Sequence, residues 1–174
     1  MSETRELTEA DVITDAVRAW IGYTSEPQPL PEEIAAVDVR RYVEATGDRN
    51  PLWLDDEAAR AAGYRARILP PMMVVGLSWR LGDGSRAQHQ IPLPEIYSDR
   101  RNAGLEIEWL GPVYVGDRLV LQHRITDIVA RSGRRGLGVY ITRETEYRRA
   151  GDDTPVARVR QTTVRLPRSS AKGA

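Results

Sequence analysis

The sequence predicts an α+β domain in which an antiparallel sheet packs on one buried helix. Three observations predict it. Helix caps and helix-spaced apolar residues lie in the first half, period-two alternation fills the second half, and between them Met72 to Leu81 is apolar on all sides. With 174 residues, 41% of them hydrophobic, one core should bury roughly 70% of the unfolded surface without disulfides or a metal.

The elements follow in order. From Thr8 to Trp20, apolar Val12, Ile13, Val17 and Trp20 fall near helical spacing, with Thr8 as N-cap and Glu9 and Asp11 in the first turn. Glu26 to Pro31 carries three prolines and must be extended. A second helix begins at Asp38 as N-cap, places Val39, Tyr42, Val43 and Thr46 on one face, and stops at Gly47. A third runs from Asp55 to Gly63, with acids in its first turn. Pro71 suits the first position of the buried helix, which closes at Gly82-Asp83-Gly84. Four strands come last: Leu105, Ile107 and Trp109; Leu119, Leu121 and Ile125; Leu137, Val139 and Ile141; and Val156 to Leu166. Turn signals at Gly111-Pro112, Ser132-Gly133 and Gly151-Asp152 make them a meander.

Composition excludes several kinds of chemistry. The chain has no cysteine, so it has no thiol nucleophile and no Cys-ligated metal, and two distant histidines do not make a His-rich metal site. The 25 basic and 25 acidic side chains cancel, which speaks against a nucleic-acid partner, although 24 of the basic residues are Arg and allow local anion sites. The longest apolar run, Ile68 to Leu77, is interrupted by two prolines and too short for a membrane span. The N-terminus lacks the basic start and apolar stretch of a secretory signal, so a cytoplasmic location is expected. Residues 1–33 read as a helix and extended lead-in, 34–166 as the domain, and 167–174 as a flexible tail.

The segment Ala45 to Asp55 carries the chemistry. Gly47 ends a helix, Asp48 stands just past that end, and Asn50-Pro51 forces a turn, so the Asp48 carboxylate projects from a rigid corner. Such a carboxylate either holds a water beside a cavity or caps the turn by accepting backbone N–H groups.

Four spaced motifs occur in order between about Ile34 and Leu166. They are Thr46-Gly47-Asp48-Arg49-Asn50-Pro51-Leu52; the helix ending Ala61-Ala62-Gly63-Tyr64; Ile68-Leu69-Pro70-Pro71-Met72; and Gly111-Pro112-Val113-Tyr114-Val115-Gly116-Asp117-Arg118-Leu119. Together they resemble the MaoC-type hot-dog dehydratases. That resemblance implies a hot-dog fold, in which a sheet wraps a central helix and two units pair side by side. It implies hydration of a trans-2-enoyl thioester, or the reverse, by a water held between an Asp and a His. The position of that Asp is Asp48. Residues after Asn50-Pro51 and at the start of the central helix would line the acyl and pantetheine tunnel, which makes Asn50, Pro51, Trp53, Leu69, Pro71, Met72 and Met73 substrate-binding candidates. No separate cofactor is implied, since CoA or phosphopantetheine arrives as part of the substrate.

Two departures fall on the chemistry. Trp53 stands where the family has its His, and an indole N–H donates but exchanges no proton near neutral pH. Pro71 aligns with the glycine whose N–H would polarise the thioester carbonyl, and proline has none. Both are usual in the N-terminal MaoC-type dehydratase subgroup. Trp20-Ile21-Gly22, Pro27 to Pro31 and Val39 to Ala45 are similar to subunits of actinobacterial acyl-CoA hydratases that act on bulky side chains. There the degenerate unit pairs with one that carries the intact Asp and His.

The remaining candidates have bland readings beside functional ones. Arg65 and Arg67 flank the approach to the central helix, where they either hold a phosphate of the carrier or form a solvated surface. His89 reads as a loop residue, or else as a replacement base. His123 reads as structural, Arg134-Arg135 as a hairpin end, and Trp53, Trp79, Trp109 and Met72-Met73 as core. The reading is an acyl-thioester hydratase or dehydratase, as a catalytically degenerate subunit paired with an active MaoC-like subunit or as a homodimer. A non-catalytic acyl-binding module, a biosynthetic cyclase and a thioesterase remain as alternatives.

Overall fold

The computed structural model describes residues 7–78 and 90–168. It contains helices α1 (Glu9–Val12), α2 (Asp15–Arg18), α3 (Ala36–Thr46), α4 (Pro51–Leu54), α5 (Asp56–Ala61) and α6 (Met73–Leu77). The strands are β1 (Gln28–Pro29), β2 (Asp99–Trp109), β3 (Leu119–Gly133), β4 (Gly136–Arg149) and β5 (Pro155–Leu166), joined as one antiparallel sheet in the order β1-β3-β4-β5-β2. Among the described residues, no helix is long and apolar enough to cross a membrane.

The helix expected from Thr8 to Trp20 is broken into two turns. Thr8 caps α1 in a reciprocal box with Asp11, but Thr14 then accepts a hydrogen bond from Val17 N and starts a new turn, while Ile13 leaves helical geometry. Both turns still bury their apolar side. Val12, Ile13 and Val17 pack with Ile125, Ile128, Val139 and Ile141. The second helix starts earlier than expected, with Ala35 as N-cap and Asp38 inside the first turn, and ends as expected at Gly47, whose φ of 75° is left-handed. The third is as read, with Asp55 accepting from Glu57 N and Ala58 N.

The apolar segment differs in two respects. Pro71 is not the first helical residue; the chain turns through Pro70 and Pro71, whose carbonyls accept from Met73 N and Val74 N, and α6 follows Met72. Nor is it covered on all sides, for Val74, Leu77 and Ser78 are buried while Met72 and Gly76 are exposed. Trp79, Leu81 and Gly82-Asp83-Gly84 lie outside the described residues.

The four late strands are present, but only β3, β4 and β5 form a meander. β2 crosses to the far edge and pairs with β5, Ile107 opposite Val159 and Trp109 opposite Ala157. Because nothing lies beyond β2 within the described chain, Leu105 and Trp109 stay 45% and 42% exposed, against the expectation that Trp109 is core. The charged alternates pair across the outer face, Arg158 with Glu108 and Arg160 with Glu106.

Candidate functional site

Asp48 takes its position from two local devices. The left-handed cap at Gly47 ends α3, and Asn50 caps α4 by accepting from Leu52 N at 3.0 Å, with Pro51 at the start of that turn. Between them the carboxylate is bound at both oxygens. Oδ1 accepts from Asn50 N at 3.3 Å, and Oδ2 accepts from Trp53 Nε1 at 3.1 Å. The structure thus brings the aligned acid and the residue in place of its usual partner into direct contact. A carboxylate offers about four acceptor positions, so room remains for a water, but the side chain beside it only donates.

Trp53 is 8% exposed and belongs to one core cluster with Ile68, Leu69, Val74, Leu77 and Tyr114, against which Leu52 and Met73 pack. The chain leading into α6 is held on both sides: Ile68 N donates to Leu52 O and Leu69 N to Val113 O. So Trp53, Leu69 and Met73 share one cluster, and Asp48 is tied to it through the indole. Pro51, Pro71 and Met72 are exposed and Asn50 is half-buried. After Pro70 and Pro71, the first backbone N–H that the chain offers at the start of α6 is that of Met72.

Both candidate arginines are engaged inside the chain. Arg67 pairs with Asp56 at 3.2 Å, and the Arg67 backbone N–H donates to the same carboxylate, which keeps the Asp56 carboxyl below its ordinary range. Arg65 donates to Asp117 and lies 4.2 Å from the centre of the Tyr114 ring, yet its side chain stays 60% exposed. Asp117 is the residue that sequence reasoning quoted without a role. It is buried and accepts from Arg65, from Arg149 Nε at 3.1 Å and from Tyr114 N at 3.0 Å, so it ties the loop before β3 to β4 and to the approach of α6. The signal was available in Gly116-Asp117, an acid at the entry to an apolar strand.

Other candidates resolve as follows. His123 is buried on β3, its Nδ1 2.9 Å from Thr145 Oγ1, in a structural position. Arg134 and Arg135 form the β3–β4 hairpin end, and Arg135 pairs with Asp99 at 2.8 Å. His89 lies outside the described residues. Among the described residues, no three His, Cys, Asp or Glu side chains are grouped to hold a metal.

Residues 19–159 match the family described as FAS1-like, dehydratase domain region. A UPF0336 protein of Saccharopolyspora erythraea is 36% identical over 116 residues, covering 67% of this chain and 72% of that protein. The 3-oxo-4,17-pregnadiene-20-carboxyl-CoA hydratase alpha subunit of Mycobacterium tuberculosis is 42% identical over 50 residues, 29% of this chain and 16% of that subunit. Among solved structures, the ChsH1-ChsH2 complex from Mycobacterium tuberculosis contains a chain that superposes with a TM-score of 0.75 at 21% identity, covering 89% of this chain and 96% of that one.

Proposed function

This chain belongs to the FAS1-like dehydratase family of MaoC-like hot-dog domains, and from that premise we propose that it is the catalytically degenerate, pocket-forming subunit of a hydro-lyase acting on acyl thioesters. The observation that carries this reading is the bond from Trp53 Nε1 to Asp48 Oδ2. Addition of water to a 2-enoyl thioester needs one group to take a proton from the water as its oxygen bonds C3, a proton delivered to C2, and a donor for the thioester oxygen. Asp48 can orient a water. Trp53 supplies no proton transfer, and Pro71 supplies no N–H.

Leu69, Trp53 and Met73 on the shared cluster, with Pro71 and Met72 exposed at the start of α6, then bind the acyl and pantetheine portions; CoA or phosphopantetheine enters as part of the substrate. Asn50 and Pro51 hold the turn that presents Asp48. Arg65, exposed on Tyr114, is the better placed of the two arginines to meet a carrier phosphate, since Arg67 is half-buried on Asp56. The matched hydratase is an alpha subunit and the matched structure is a two-protein complex, which supports pairing with a second hot-dog subunit that holds the intact Asp and His.

The test is hydration of a 2-enoyl-CoA by the purified chain alone and after co-expression with such a subunit. Alone it should turn over far below the usual range of about 1 to 1000 per second, and the complex should reach that range. Full turnover by the lone chain overturns the reading. Installing Trp53→His together with Pro71→Gly should raise the activity of the lone chain by more than the product of the two single gains, because both groups serve one transition state.

A further inference from the structure

A strip of polar residues crosses the inner face of the sheet between its two apolar clusters. On β4 that face reads Val139, Ile141, Arg143, Thr145, Tyr147, with an arginine where the alternation calls for an apolar residue. In register beside it stand His123 on β3, opposite Thr145, and Gln161 on β5, opposite Arg143; Thr163 follows on β5. On one side lie Leu121, Tyr147 and Val159, on the other Ile125, Ile128 and Ile141.

Arg143 is 7% exposed. Its Nη2 donates to Gln161 Oε1 at 3.2 Å, and Gln161 Nε2 donates in turn to Asn102 Oδ1 at 3.2 Å. Among the described residues its Nε and Nη1 have no acceptor, nor do His123 Nε2 and Thr163 Oγ1 have a partner. Among the described residues no carboxylate pairs with Arg143. Burying a cation without a counter-charge is strongly unfavourable, because the guanidinium loses its hydration and gains no opposite charge. Burial lessens along the strip, from His123 and Arg143 through half-buried Gln161 to exposed Asn102 on β2, so the strip reaches solvent at the open edge of the sheet.

We infer that this strip is a binding site for an oxyanion, with Arg143 as its central donor, and that the oxyanion is a carboxylate at the far end of a bound acyl chain. The strip supplies donors and no acid, is flanked by the two apolar clusters, and leaves the Arg143 Nε and Nη1 groups and the Thr163 hydroxyl open to an oxyanion. Naming the acyl chain as the carrier rests on the function proposed above, whereas the oxyanion site itself does not.

The experiment compares binding of octanoyl-CoA and suberyl-CoA, equal in length and differing in the terminal carboxylate, to the full chain and to its Arg143→Met and Arg143→Lys variants. Suberyl-CoA should bind the parent protein about tenfold more tightly or better, the effect of one charge-assisted hydrogen bond. That preference should vanish in Arg143→Met and persist in part in Arg143→Lys. Equal affinity of the parent protein for both thioesters, or a preference that Arg143→Met leaves intact, overturns the inference. If neither thioester binds, the acyl-thioester reading falls, and free suberate decides the site: it must raise the unfolding midpoint of the parent protein and not that of Arg143→Met. Asp83 is the one acid in the segment 79–89, so Asp83→Asn is combined with each Arg143 variant. Strong coupling between the two positions would mean that the chain neutralises Arg143 itself, and would overturn the site.

Discussion

His123 shows how one side chain ties the fold to pH. Burial first, and the Arg143 guanidinium second, push its pKa down to about 4 from the ordinary 6.5. In the native state the ring is therefore neutral, held by Thr145. Below the ordinary value the unfolded chain takes up a proton that the native state refuses, so native stability from this group is complete above 6.5 and declines until the pH reaches about 4. The loss across that window should approach about 3 kcal/mol. Denaturant unfolding of the parent protein and of His123→Asn, compared at several pH values, measures it. The variant should have the flatter profile, and parallel profiles would remove His123 as the cause. At the same scale, the Asp48 corner was legible from Gly47 and Asn50-Pro51, but the indole bond that occupies its carboxylate was not. Nothing in sequence spacing states that a side chain five positions on will turn back to the acid.

Elements were legible where local chemistry decides them and illegible where neighbours do. The Gly47 stop, the Asp55 cap and the long strands β3 to β5 each follow from residues within a few positions. The break at Thr14 followed from a hydroxyl competing for a backbone N–H, which periodicity does not register. The placement of β2 was invisible for another reason. Leu105, Ile107 and Trp109 announce a strand, but not whether its neighbour is the next strand in sequence or the last. Among the described strands β2 pairs with β5 alone and stands at the sheet's edge, with Leu105, Trp109 and Leu110 exposed, an arrangement that invites a second sheet edge. A charge placed there should therefore block assembly without harming the fold. Trp109→Lys should elute as a monomer by sizing, while its unfolding free energy stays within about 0.5 kcal/mol of the parent, as expected at an exposed position. An unchanged elution volume would place the interface elsewhere.

At the scale of the whole molecule, the two faces of the sheet present different physics to a partner. The outer face carries a ladder of ion pairs made within the chain, three arginines among five carboxylates: Arg158 meets Glu108, Glu146 and Glu144, Arg160 meets Glu106 and Glu144, and Arg148 meets Glu146 and Asp153. Such exposed pairs contribute little individually and weaken further as salt screens them. The β2 edge and the start of α6 expose large apolar side chains instead, Leu105, Trp109 and Leu110 on the first and Met72 on the second. Burying apolar surface stabilises association by about 25 cal/mol per Å² and does not depend on ion screening. If the edge and helix start form the contact, assembly should persist between about 0.05 and about 1 M salt, where the screening length falls several-fold. Light scattering of the chain, alone and with a second hot-dog subunit, reads this directly. Dissociation at high salt would instead assign the interface to the charged outer face, and the apolar edge would then need some other cover.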